Sequence, residues 1–399
     1  MIKILFILSL LAIYPFFWKT ENGKKLYFLI AVIMTFVREL NIPGIGNIVP
    51  ATLMFWIMFI VEVYRSLSIL QTWLCYSLIL IISLLIGILT NDTIRAFSWE
   101  TPLWNTMIIA ILTPLYIKTD DDMQSFVKCI LTVSFIYSFT TLLAYWGYYD
   151  GTVILSITDS SITNQSRIYG ISYSNLVQTI SVITICLIPH VIINKYLKYI
   201  LIFLFAYAVL ITLKRMSFIA LLISIVYLII IEIQNKQYKS VIIISIIGII
   251  IVGSSWWEMV INRFNIFSDN KIVATQIKDH SSQTRVDRII FSINIFEQSP
   301  LLGKGAGYVV YIHNGFLEIL ANCGIIGILC IFTRYLKPLK DTFNLNPWSI
   351  STLIFLVTCF SLEAAISRSE LMCFLGLFIG GYTVSKNLQI EYVMNNDKK

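Results

Sequence analysis

Long apolar runs follow one another along most of this chain. Three of them, Tyr199–Leu213, Ser217–Glu232 and Val241–Trp256, each contain at most one charged residue. Hydrophobic residues make up 57% of the sequence and charged residues 13%, against roughly 45–50% and 25% in soluble domains. Such a chain cannot keep its whole surface in water. The sequence therefore predicts an all-α, polytopic integral membrane protein.

Hydropathy divides the chain into about 12 or 13 membrane helices, because a span needs about 20 apolar residues. The second run is short, which fits a tilted, interfacial or re-entrant piece, and the first is interpreted as a membrane helix or signal anchor. The predicted organisation is an N-terminal helix bundle (1–256), an external polar loop with an amphipathic helix (257–314), C-terminal membrane helices (315–386) and a cytoplasmic tail (387–399). The apolar runs lie at about 1–18, 26–37, 48–64, 73–89, 103–117, 125–147, 176–193, 199–213, 217–233, 241–257, 315–333, 347–366 and 369–385.

Basic residues indicate the orientation of the chain. The 29 Lys and Arg against 22 Asp and Glu give a net charge of +7, which we interpret as membrane topology rather than nucleic-acid affinity. Alternate threading places the Lys/Arg-rich segments on one side, which the positive-inside rule makes cytoplasmic. These segments are 19–25, 194–198, 235–239, 334–340 and 395–399. The opposite, external face then carries 38–48, 90–102, 148–175, 212–216 and 257–314.

The same threading brings several basic side chains to the external face, where they are normally disfavoured. They are Arg167, Lys214, Arg215, Arg285, Arg288 and His313. An anionic ligand at the outer membrane boundary would explain them. A guanidinium suits a diphosphate, because it donates paired hydrogen bonds and keeps its proton. Helical spacing from Arg285 to Phe296 predicts an amphipathic helix over about 282–298.

Two motifs near these arginines are candidates for binding or catalysis. Gly303, Gly305 and Gly307 allow a tight turn that could direct N–H groups to the same anion, although the motif alone favours a simple flexible turn. His313 could act as a general base, with Asn314 and Glu318 beside it; a lone interfacial histidine is the simpler alternative. Gly324 and Gly327 indicate a helix-packing face. The cysteines show no metal spacing, and we predict neither a metal nor another cofactor.

These motifs occur in an order that resembles the O-antigen ligase and O-antigen polymerase superfamily. The resemblance covers about residues 160–335. It rests on Arg167, Gly170, Asn175, Arg215-Met216-Ser217, Arg285, Asn294-Ile295-Phe296, Ser299-Pro300-Leu301-Leu302-Gly303, Gly305, Gly307, His313-Asn314, Leu317-Glu318, Gly324 and Gly327. It implies a metal-independent, inverting membrane glycosyltransferase of the GT-C type. By the same resemblance, Arg215, Arg285 and His313 are the catalytic candidates. The candidates for substrate binding are Arg167, Lys214, Arg288, Asn314, Glu318, Gly303 and Gly305.

The resemblance favours a polymerase of surface polysaccharide over a ligase that transfers finished polymer to lipid A-core. The donor would be a glycan on undecaprenyl diphosphate, and the acceptor another lipid-linked glycan or lipid A-core. A chain-length regulator and membrane lipids are the further expected partners, and nucleic acid is not. The expected location is the bacterial inner membrane, with the site facing the periplasm. A flippase or transporter remains a third possibility, although it predicts charges deep within several spans and internal repeats.

Overall fold

A computed structural model describes residues 9–396, apart from 10–11, 38–39, 43–45, 92, 147, 149–175, 213–214, 253–279, 313, 362–365 and 367–368. The described part is almost entirely helical. Its α-helices are α1 (Glu21–Ile33), α2 (Pro50–Arg65), α3 (Leu67–Thr90), α4 (Thr93–Tyr116), α5 (Asp120–Tyr145), α6 (Leu176–Ile183), α7 (Lys195–Thr212), α8 (Arg215–Gln234), α9 (Tyr238–Val252), α10 (His280–Gln298), α11 (Gly315–Tyr335), α12 (Pro347–Phe355) and α13 (Ser369–Asn396). A small antiparallel hairpin joins β1 (Leu40–Ile42) to β2 (Gly46–Ile48).

Local sequence signals set several helix starts. Thr119 and Asp122 form a capping box at α5: the Thr119 hydroxyl accepts from the Asp122 N–H, and the Asp122 carboxylate accepts from the Thr119 N–H, both at 3.2 Å. Asn346 caps α12, where Pro347 occupies the first turn. Each cap satisfies N–H groups that have no partner within the helix. These caps therefore determine where α5 and α12 begin.

Helices α4 and α13 pack closely against each other. Small residues make this approach possible: a Cβ on Gly376 would lie 2.7 Å from the Thr106 carbonyl oxygen, and one on Gly380 would lie 2.5 Å from Thr113 Cβ. The Thr106 hydroxyl also donates to the Met372 carbonyl across the same contact, at 2.8 Å. This pairing fixes α4, one of the helices that support the candidate site.

The membrane-protein prediction agrees with the lengths of the described helices. Four segments are long and apolar enough to cross a membrane, namely Asp120–Tyr145, Met216–Gln234, Gly315–Thr333 and Leu371–Met394, and the bent pair Leu67–Cys75 and Ser77–Thr90 could form a fifth span. The all-α polytopic class is thus confirmed, while the larger span count stays a prediction, as does the division into four segments.

Two predicted external loops contain regular structure. Segment 38–48 includes the β1–β2 hairpin. Most of segment 90–102 belongs to α4, which begins at Thr93, and Glu100 within it is fully buried. The interpretation of 90–102 as a loop was wrong for most of its length: Thr93, Arg95 and Ser98 are exposed polar residues of a helix, and Glu100 is a buried one. The amphipathic helix predicted over about 282–298 is present as α10.

Candidate functional site

Helix α11 is broken at Gly324. This residue has φ +67° and ψ −167° inside an otherwise helical segment, a combination essentially restricted to glycine. A Cβ at this position would lie 2.2 Å from the Leu301 carbonyl oxygen. We expected Gly324 and Gly327 to form a helix-packing face. This expectation does not hold for Gly324, which forms the break itself. We call the segment packed into this break the glycine loop (residues 299–312).

The glycine loop satisfies the backbone groups that the break exposes. On the first half of α11, the carbonyls of Ala321 and Asn322 accept from the N–H groups of Lys304 and Gly305, both at 3.0 Å. On the second half, the N–H groups of Ile325 and Ile326 donate to the carbonyls of Pro300 and Leu301, at 2.9 and 3.3 Å. A break in an apolar helix is tolerated when neighbouring groups supply such partners.

Asn322 fixes the loop to α11 through its side chain. Its amide oxygen accepts from the Val309 N–H at 2.9 Å, and its amide nitrogen donates to the Val309 carbonyl at 2.7 Å. Helix α3 holds the other side of the loop, since the Ser83 carbonyl accepts from the Ala306 N–H at 2.9 Å. The loop is thus fixed between α3 and α11.

These contacts change the role expected of Gly303 and Gly305. Their φ angles are +71° and +94°, and a Cβ would lie 2.3 Å from the Asn322 carbonyl carbon and 2.5 Å from the Gly87 nitrogen, respectively. The N–H of Gly303 donates to Ser299, and that of Gly305 to Asn322. Both residues are buried. The structure therefore gives them a packing role, and an anion could reach these N–H groups only if existing hydrogen bonds broke.

Asn314 and Glu318 lie at the start of α11. The Asn314 side-chain oxygen accepts from the Leu317 N–H at 3.0 Å, so Asn314 caps the helix. The Glu318 carboxyl is fully buried, and its Oε1 accepts from the indole N–H of Trp99 in α4 at 2.8 Å. Its Oε2 is buried without a hydrogen-bond partner among the described residues. Glu318 thus ties the start of α11 to α4, and its carboxyl does not face solvent.

Arg288 holds the same segment from α10. Its side chain is exposed, and Nη1 donates to the Tyr311 carbonyl at 2.6 Å. Tyr311 is a non-glycine residue with φ +61°. Because a guanidinium has five N–H donors, this contact leaves others available to an anion. Arg288 therefore has a structural partner in addition to the anion-binding role predicted for it.

The structure does not describe the side chains of the remaining candidate residues. His313, Arg167 and Lys214 lie outside the described residues, as do the side chains of Arg215 and Arg285. The backbone places Arg215 at the first residue of α8 and Arg285 within α10. Two residues after Arg215, the Ser217 hydroxyl lies 2.6 Å from that of Thr179 in α6, which anchors the start of α8.

Sequence reasoning missed Trp99 and Glu100. Trp99 is the hydrogen-bond partner of Glu318, and both carboxyl oxygens of Glu100 are buried without a hydrogen-bond partner among the described residues. An acidic residue beside a tryptophan, at the edge of an apolar run, was the available signal. Within the described part of the chain, no group of three or more His, Cys, Asp or Glu side chains is arranged to hold a metal ion.

The fold and this site define a polytopic membrane protein in which α11 is broken at Gly324 and the glycine loop is packed into the break. The O-antigen ligase family model matches residues 200–332. This range contains α8, α10, the glycine loop and most of α11, and the match confirms the predicted resemblance to the O-antigen ligase and polymerase superfamily. A search of curated proteins found no match for the chain.

Proposed function

We propose that this protein is a polymerase of O-antigen or another surface polysaccharide. It would transfer oligosaccharide repeats from undecaprenyl diphosphate to a hydroxyl group of an acceptor sugar, at the outer face of the bacterial inner membrane. The observation that supports glycan transfer is the family match over residues 200–332, which contains Arg215, Arg285 and His313. The choice of a polymerase rests on the sequence resemblance described above.

In this proposal the arginines act on the leaving group. A diphosphate is already a good leaving group, so the main requirement is to stabilise the negative charge that develops on it. Preorganised cationic donors in a site with little water do this effectively. Arg215 and Arg285 would bind the diphosphate, assisted by Arg167, Lys214 and the free donors of Arg288.

His313 would act on the acceptor. A neutral imidazole can accept a proton from the attacking sugar hydroxyl as the new glycosidic bond forms. Attack from the face opposite the diphosphate inverts the configuration at the anomeric carbon. The Asn314 cap and the Trp99–Glu318 hydrogen bond fix the start of α11, which follows His313 in the sequence; catalytic positioning requires such fixed supports.

Ligation is the second candidate function, because the matching family is described as O-antigen ligase. The glycan would then be finished polymer, and the acceptor would be lipid A-core. The same diphosphate chemistry serves both reactions, so the difference lies in how each acceptor is bound.

Lipopolysaccharide from a strain that lacks the gene distinguishes these functions on a silver-stained gel. Core bearing a single repeat unit indicates a polymerase. Bare core, with long polymer accumulating on undecaprenyl diphosphate, indicates a ligase. An unchanged ladder in the deletion strain contradicts both.

Complementation then tests the proposed residues. We expect Arg215→Ala, Arg285→Ala and His313→Ala to fail to restore the ladder while the protein remains in the membrane. Lys239→Ala serves as the control, because Lys239 is exposed and lies in a segment predicted to be cytoplasmic. Normal ladders from both arginine variants would refute the diphosphate-binding role.

A further inference from the structure

Tyr311 combines a strained backbone with an exposed ring. Its φ is +61°, in the left-handed region that residues other than glycine rarely adopt. The residue is 54% exposed, whereas the nearby Val309 and Ile312 are buried in a small apolar cluster with Ile295 and Ala321. Packing of the Tyr311 ring therefore does not explain why the strain is maintained.

One side chain contacts the Tyr311 backbone directly in this conformation. Arg288 donates to its carbonyl at 2.6 Å from α10. The next residue, Ile312, is buried in the small apolar cluster with Ile295 of α10 and Ala321 of α11. Two helices thus hold the chain at Tyr311 while its ring stays exposed.

Strain that the surroundings hold in place is typical of functional sites. The ring belongs to a residue two positions before His313, so it lies close in sequence to the proposed catalytic group. A pyranose ring carries a face of C–H groups that packs well on an aromatic face, while its hydroxyl groups stay available for hydrogen bonds.

We propose that Tyr311 forms a stacking subsite for a sugar ring of the lipid-linked glycan. The inference rests on the proposed function and adds a group that recognises the sugar rather than the diphosphate. The fixed backbone holds the base of the side chain in place, so binding of the sugar needs no ordering of the loop, only rotation of the ring about its two side-chain torsions. The phenol hydroxyl is not required, which separates this role from hydrogen bonding by tyrosine.

The test uses full-length protein in proteoliposomes and two lipid probes. One is undecaprenyl diphosphate carrying a saccharide repeat, used as donor; the other is undecaprenyl diphosphate without sugar, used as competitor. Asn and Gly tolerate the left-handed conformation, so Tyr311→Asn and Tyr311→Gly remove the ring while allowing the turn to form. Tyr311→Phe keeps the ring. Tyr238→Asn is the control, because Tyr238 is 62% exposed at the start of α9.

We expect the Asn and Gly variants to raise the KM for the glycan-bearing lipid about 3- to 10-fold, the range of one aromatic contact. Inhibition by the sugar-free lipid should not change, and Tyr311→Phe and Tyr238→Asn should match the wild type. A wild-type KM in the Asn and Gly variants overturns the inference. Equal weakening of both probes also overturns it, since the ring would then support the diphosphate site or the fold. If the wild-type protein neither transfers glycan nor binds either probe, the proposed function fails and this inference fails with it.

Discussion

Replacing Gly324 with alanine tests whether the break in α11 is structurally necessary. The new Cβ would lie 2.2 Å from the Leu301 carbonyl oxygen and 2.6 Å from the Leu302 nitrogen. Both are backbone atoms, so no side chain can rotate to make room. Relief of the clash requires the glycine loop to move, which would break the hydrogen bonds from Ile325 and Ile326 to Pro300 and Leu301.

The expected loss of stability follows from these contacts. A side chain in this region of φ and ψ costs about 1–3 kcal/mol, and each lost hydrogen bond adds about 0.5–1.5 kcal/mol. The total of about 2–6 kcal/mol is a large fraction of the 5–15 kcal/mol that typically stabilises a folded protein. We therefore expect Gly324→Ala to lower the yield of folded protein sharply.

Fluorescence-detected size exclusion of a detergent-solubilised fusion after graded heating provides the measurement. Gly248→Ala is the matched control, because Gly248 lies within α9 and a Cβ there would meet no atom within 4 Å. The control should be neutral or slightly stabilising, since alanine is the better helix former. If Gly324→Ala melts with the wild type and transfers glycan normally, the role assigned to the break is incorrect.

Three further predictions concern polar contacts. Glu318→Leu should destabilise the protein by about 1–3 kcal/mol, because it leaves the buried Trp99 N–H unpaired. Glu318→Gln keeps an acceptor oxygen and should melt close to the wild type. Equal melting temperatures of the Leu and Gln variants would contradict this prediction. Glu100→Leu should raise the melting temperature, since it removes two buried oxygens that lack partners among the described residues; a lower value would show that Glu100 has a partner. Lys386 and the Tyr382 hydroxyl hold the pKa of the Asp341 carboxyl below its usual range. A lowered pKa contributes stability above the unfolded value of about 4, and this is lost as pH falls through the folded value. Melting curves across pH should therefore show Lys386→Met destabilised near pH 7 and similar to the wild type in acid; a pH-independent difference would exclude this linkage.

Sequence reasoning predicted the helical class and the position of α10 because both depend on local periodicity and composition. It could not predict the break in α11. The apolar run at 315–333 reads as continuous, and the groups that satisfy the break come from residues 300–305. The partner of Glu318 is still more distant, because Trp99 precedes it by 219 residues. A sequence shows which buried groups need partners, but the fold decides which distant segment supplies them.

The geometry of the glycine loop also limits how an anion can be bound here. The N–H groups of Lys304, Gly305 and Ala306 all donate to carbonyl groups of the protein. None of these three amides is therefore free to bind an anion. Binding of a diphosphate would then depend on basic side chains, and the loop would serve as the rigid frame that supports the chain near His313. Substitution of Gly303 or Gly305 should accordingly reduce the amount of folded protein, whereas substitution of Arg215 or Arg285 should leave folded but inactive protein in the membrane. A separation of these two outcomes would assign anion binding to the arginine side chains and scaffolding to the glycines.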